Sequence, residues 1–104
     1  MIRIIDRKPY DTEEAEPLAQ FMPNTVPGAV PGLRETLYKR SEDDYFLHVE
    51  EWNTAEHYVI NYDEMDPSFE SIVPFTDEEA VDWCEDRVIN GEIVIEEFDN
   101  VLDT

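Results

Sequence analysis

Cysteine occurs once, at Cys84. No internal disulfide can form, and the expectation is a reducing, cytoplasmic setting. Glycine occurs three times, at Gly28, Gly32 and Gly91, which leaves no phosphate-cradling glycine loop. No apolar run reaches the ~18 residues of a membrane span, and the N-terminus has no apolar run of signal-peptide length. Histidine occurs only at His48 and His57, without the close spacing of a paired metal motif. Cys84 has no cysteine partner, so a zinc site would need carboxylates to complete it. The expected state of both histidines is satisfied or solvent-facing, with no metal and no cofactor.

The most informative shortage is of positive charge. Residues 41–104 contain 21 acidic residues and one basic residue, Arg87, and sum to −20. Residues 1–40 contain six of each sign and sum to zero. All the net charge therefore lies in the last 64 residues. A net −20 repels nucleic acid and anionic lipid. The implied partner is a basic protein, with no direct nucleic acid and no membrane.

What the chain does have is core-forming material. Its hydrophobic fraction is 41%, with two Trp, five Tyr and five Phe, whereas acidic disordered chains are poor in aromatics. A length of 104 residues suits one domain with a modest core. We expect residues 1–104 to form a single α+β domain: an antiparallel sheet of three to five strands with two or three helices on one face.

Along the chain, Ile2, Ile4 and Ile5 read as a short strand, Asp6-Arg7-Lys8 as a turn, and Pro9-Tyr10 as a brief return. Asp11-Thr12-Glu13-Glu14, with an oxygen-bearing side chain three residues before a Glu (Asp11 before Glu14) and Ala15, Leu18, Ala19 and Met22 behind it, predicts a helix over 12–22. Pro17 stands against it. Residues 22–32, with three prolines and two glycines, read as a loop. Residues 36–40 and 45–50 flank a polar turn and predict a hairpin. In its second strand Tyr45, Leu47 and Val49 face one way and Phe46, His48 and Glu50 the other. Residues 51–56 read as a turn, 57–62 as a strand, 63–70 as an acidic loop, and 71–75 as an edge strand because of Pro74. Thr76-Asp77-Glu78-Glu79 is a reciprocal capping signal, and Ala80, Trp83, Cys84, Arg87 and Val88 recur at helical spacing. A helix over 77–89 follows, ended by Asn90-Gly91. Its face of Ala80, Trp83, Cys84 and Val88 is expected to bury against Leu37, Tyr45, Leu47, Tyr58 and Ile60. Residues 92–98 fit strand by their β-branched content and helix by the stripe of Val94, Phe98, Val101 and Leu102.

The string Ile4-Ile5-Asp6-Arg7-Lys8-Pro9-Tyr10-Asp11-Thr12-Glu13-Glu14-Ala15-Glu16 resembles the opening of a family of small acidic proteins from bacterial mobile elements and phages. Glu35-Thr36-Leu37-Tyr38 with Tyr45-Phe46-Leu47 is similar to that family's hairpin. Val73-Pro74-Phe75-Thr76-Asp77-Glu78-Glu79-Ala80 with Trp83 is similar to its second helix start. The chain departs from the family in lacking a glycine-rich segment after the hairpin and in carrying Pro17. The resemblance implies helix at 92–98. It also implies company that includes inhibitors of host defence, such as anti-CRISPR and anti-restriction proteins.

Catalysis is not expected. With 27 carboxylates, a chance close pair carries little information about a glycosidase-type site, and no nucleophile motif is present. The acidic loop at 63–66 lacks the glycine and spaced oxygens of a calcium loop. Three readings of the charge remain: salt adaptation, docking on a basic protein, or imitation of nucleic acid. A domain of this length has a radius of gyration of about 13 Å and a diameter of roughly 34 Å. A duplex of that length carries ~20 charges, equal to the chain's excess. The favoured expectation is a non-enzymatic inhibitor occupying a nucleic-acid-binding surface. Its expected partner-binding residues are Glu42, Asp43, Asp44, Glu50, Glu51, Glu56, Asp63, Glu64, Asp66 and Glu70. A second face carries Asp77, Glu78, Glu79, Asp82, Glu85 and Asp86. Trp52 and Phe69 are the aromatics a homodimer contact would use, core burial being the commoner fate of such residues.

Overall fold

A computed structural model describes residues 1–23, 32–52 and 66–103. Strand β1 (Ile2–Ile5) and strand β2 (Lys8–Asp11) form a two-stranded antiparallel ribbon. Their two-residue turn, Asp6-Arg7, holds both residues at positive φ, 52° and 67°. Such a turn matches the twist of a tight hairpin.

A four-stranded antiparallel sheet follows, in the order β3 (Glu16–Phe21), β4 (Gly32–Ser41), β5 (Asp44–Trp52), β6 (Phe69–Phe75). The predicted hairpin at 36–50 is its centre. Its strands run further than the apolar pattern indicates, with Gly32 paired to Trp52 at the open end. Asp43 closes the turn at φ 57°, a conformation aspartate tolerates. Among the described residues β6 pairs only with β5, in keeping with the edge position read from Pro74.

The helix expected over 12–22 is instead a turn followed by β3. The Thr12 hydroxyl donates to the Met1 carbonyl (3.3 Å) and accepts from the Met1 amine (3.0 Å), so it caps no helix. Pro17 is accommodated because, among the described residues, β3 lies at the edge of the sheet. A bulge lies between Pro17 and Ala19, and Leu18, Ala19 and Phe21 all pack on one core. The bulge thus turns two adjacent side chains to the same side. That spacing imitates a helical stripe in the sequence.

Helix α1 (Asp77–Asp86) begins with the predicted capping box. Thr76 Oγ1 accepts from the Glu79 amide, and a Glu79 carboxylate oxygen accepts from the Thr76 amide. It ends before Asn90-Gly91. Val88 takes φ 53°, its amide donates to the Glu85 carbonyl, and the Ile89 amide donates to the Cys84 carbonyl. These are the two bonds of a left-handed helix stop. Asn90 instead caps helix α2 (Gly91–Phe98), accepting from the Glu92 amide. Residues 92–98 are therefore helical.

Both helices pack on one face of the sheet. Ala80, Val81, Trp83, Cys84 and Phe98 meet Leu37, Tyr45 and Leu47 there. Val88, expected in this core, is exposed, because the left-handed stop turns the chain away. Tyr58, Ile60, the strand read at 57–62 and residues 24–31, 53–56 and 63–65 of the segments read as loops and turn lie outside the described residues. Glu51 and Trp52, read as turn, instead end β5, and Phe69 and Glu70, read as loop, begin β6, because the ladder with β5 continues through them. The ribbon covers the opposite sheet face: Tyr10 stands edge-on to Phe46 (centroids 5.4 Å apart) and Phe46 stacks on Tyr38 (5.1 Å). The described residues form an α+β fold, with antiparallel sheets of two and four strands and two helices.

Candidate protein-binding surface

The cations decide which acids are free. Four of the seven are held in cross-element pairs. Arg34 forks onto Glu50 (2.9 and 3.1 Å), and Arg40 donates to Asp44 (2.7 Å). Lys39 meets Glu97 at 2.7 Å, and Arg87 meets Glu35 at 2.8 Å. The other three, Arg3, Arg7 and Lys8, are exposed on the ribbon. The positive charge thus sits either inside ion pairs or on the ribbon.

Two of these pairs fasten the helical layer. Glu35 is buried and accepts from Trp83 Nε1 (3.2 Å) as well as from Arg87. Arg87 also lies over the Phe21 ring. Its pKa is raised, chiefly by the hydrogen bond to Glu35. Glu97 accepts from the Tyr45 hydroxyl (2.9 Å) and from Lys39. Burial first, then this bond to a carboxylate, push the Tyr45 hydroxyl pKa upward. The hydrogen bond to Glu97 likewise raises Lys39.

The expected partner-binding acids divide accordingly. Glu50 is buried and held by Arg34; it belongs to the interior, since its strand turns it to the ribbon side of the sheet. Asp44 is half-buried and held by Arg40. Glu70 faces His48 at 3.1 Å. Glu51 is half-buried at the end of β5, and Asp66 is exposed. Glu42 and Asp43 stand exposed at the hairpin tip. Glu56, Asp63 and Glu64 lie outside the described residues. Trp52 is 1% exposed with Arg34 over its ring, and so belongs to the core, whereas Phe69 is exposed.

The second expected face fares differently. Glu78, Glu79, Asp82, Glu85 and Asp86 are exposed along α1, with Asp77 half-buried beside them. Asp77 and Glu79 also serve the helix start, accepting the Glu78 and Thr76 amides. Glu92, Glu96, Asp99 and Asp103 extend the exposed acids beyond α1. Residues 77–103 contain eleven acids and one base, a net −10, and that base is turned inward onto Glu35. A notch lined by Lys8, Glu42, Asp43, Thr76 and Glu79 joins the hairpin tip to the start of α1, so one ribbon cation borders the acidic surface there. Sequence patterning identified the α1 acids through amphipathic spacing. It could not show that Glu50 and Asp44 are engaged, because both pairings depend on side chains meeting in the folded sheet.

The fold is also flatter than a sphere of its length. Its Cα radius of gyration is 14.7 Å and its extents are 47 × 32 × 17 Å. A duplex 47 Å long carries about 28 charges, against a net 20 here. The charge correspondence is looser than the spherical estimate. Among the described residues one cluster has the donor set of a metal site: His48, Glu50 and Glu70. No family model, curated protein or solved structure matches the chain.

Proposed function

We propose that the protein is a non-enzymatic acidic binding module. Its helical face docks on the basic, nucleic-acid-binding surface of a partner and inhibits that partner, a host-defence nuclease or effector complex being the favoured class. The supporting observation is the exposed row of acids on α1, continued through α2, with its one cation withdrawn into the Glu35 pair. Along α1, six acids fall within a helix of about 15 Å, roughly one per 2.5 Å, where a duplex has one per ~1.7 Å. Such a face steers a basic groove toward it over long range. Salt adaptation fits less well, because the ribbon surface carries Arg3, Arg7 and Lys8.

The flat shape and the shortfall in charge against a duplex favour a second reading, in which the same face binds a basic protein without displacing nucleic acid. Capture from lysate at low salt, with a salt-gradient elution, tests both. The comparison is with a variant carrying Glu78→Gln, Asp82→Asn, Glu85→Gln and Asp86→Asn, which leaves Asp77 and Glu79 to start the helix. A basic nucleic-acid-binding protein should bind the native chain, bind the variant roughly tenfold or more weakly, and be released by excess DNA or RNA. Binding that persists in saturating nucleic acid transfers the assignment to the second reading. Equal capture by the variant removes the α1 face from both.

A further inference from the structure

We infer that His48, Glu50 and Glu70 form a zinc-binding site on the ribbon-facing side of the sheet. His48 and Glu50 are two residues apart on β5 and share a face. Glu70 lies directly opposite Glu50 on β6. One ligand atom from each of the three can be chosen so that all lie within 4.8 Å of one another. His48 Nε2 is 3.1 Å from Glu70 Oε1, and Nδ1 is 3.7 Å from Glu50 Oε1. Ligand atoms around tetrahedral zinc stand about 3.3–3.5 Å apart, given bond lengths of ~2.0–2.2 Å. The two contacts use opposite ring nitrogens, and a single zinc takes one of them, so side-chain rotations that draw the 4.8 Å set together by about 1 Å onto that nitrogen complete the geometry.

Three further features favour a cation. Carboxylates directly opposite each other across a ladder repel, and Glu50 and Glu70 occupy such a pair. Arg34 pairs with Glu50, and Glu70 has the His48 imidazole as its neighbour. Arg34 on Glu50 is also the kind of outer hydrogen-bond donor that orients a ligating carboxylate. Finally, the His48 side chain is 8% exposed while that of Glu70 is 35% exposed, so the cluster is fixed at its base and open at its rim. One imidazole and two carboxylates suit zinc, with three protein ligands leaving a fourth position for water or a partner's side chain. The site is independent of the α1 face.

Titration of the metal-free full chain with Zn²⁺, followed by calorimetry in millimolar Mg²⁺ to suppress diffuse binding to surface acids, tests the assignment. Co²⁺ should give the visible bands of a tetrahedral complex. One equivalent should bind, with the melting temperature rising as zinc is added. Glu70→Gln, at a partly exposed position, should weaken binding at least tenfold, as should His48→Gln. Glu85→Gln on α1 should leave it unchanged. Equal zinc affinity in Glu70→Gln and the native chain, or binding lost equally in Glu85→Gln, overturns the site.

Discussion

Val88 is the residue at which local preference and tertiary need disagree. It occupies the left-handed stop of α1 at φ 53°, where a β-branched side chain is strained and helices ordinarily place glycine. Its side chain is 88% exposed, so little packing would be lost on its removal. Left-handed backbone costs an ordinary residue ~1–2 kcal/mol, and glycine gives back ~0.5–1 kcal/mol through its freer unfolded chain. Val88→Gly should therefore stabilise the protein by about 0.5–1 kcal/mol, a rise of a few degrees in a thermal melt followed by circular dichroism. An unchanged or lower midpoint would contradict the conformation described. The sequence pointed past this position, to Asn90-Gly91, because those residue types are the commoner stop. Asn90 is equally suited to an N-cap, and two helices in succession gave it that use.

At the scale of elements, each helix is tied to the sheet by one carboxylate as well as by its apolar face. Glu35 reaches from β4 to Trp83 and Arg87 on and just beyond α1, and Tyr45 and Lys39 reach from the sheet to Glu97 on α2. Glu35→Ala leaves the Trp83 indole N–H and the Arg87 guanidinium without their acceptor. Arg87 is 32% exposed at its side chain, so water recovers part of its loss. The expected cost is about 2–3 kcal/mol, read as a lower urea midpoint at an unchanged slope, with tryptophan emission reporting the same transition. A cost below about 0.5 kcal/mol, typical of plain surface changes, would mean that the clamp contributes little. The hairpin, the capped start of α1 and the edge strand at Pro74 were legible in the sequence because each is set within a few residues. The segment 16–21 was not. Its bulge places Leu18 and Ala19 on one side, and a bulge depends on the partner strand rather than on its own residues.

For the whole molecule, the protonation equilibria that can be assigned act in one direction. Burial pushes the Cys84 thiol up to about 11 from an ordinary 9.0. Burial also raises Tyr45, Tyr38 and Tyr10 above 10.0, with Glu97 adding to the shift of Tyr45. A group with a raised folded-state pKa holds its proton more tightly when folded. Its stabilising contribution is complete below the unfolded value and is lost as pH rises through the folded one. Lys39, raised by its bond to Glu97, follows the same rule. Stability should therefore be level up to about pH 9 and fall from there to pH 11, first through Cys84 and, above pH 10, also through the tyrosines, Tyr45 still keeping its proton and its bond to Glu97 at pH 11. Urea midpoints across this range, with tyrosinate absorbance read in parallel, check the claim. A flat profile to pH 11 would contradict it.

The sequence by itself determined the acidic charge and its segregation after Arg40, the α+β class, the central hairpin, and a capped amphipathic helix with an acidic outer face. These follow from composition, two-residue and 3.6-residue periodicity, and short-range capping, all local properties. Only the tertiary structure decided which acids are free. Glu35, Glu50 and Glu97 are drawn into pairs with cations from other parts of the fold, and His48 and Glu50 are brought beside Glu70 across a strand ladder. An ion pair is set by distance in space, and distance in space between residues far apart in the chain is what folding alone supplies.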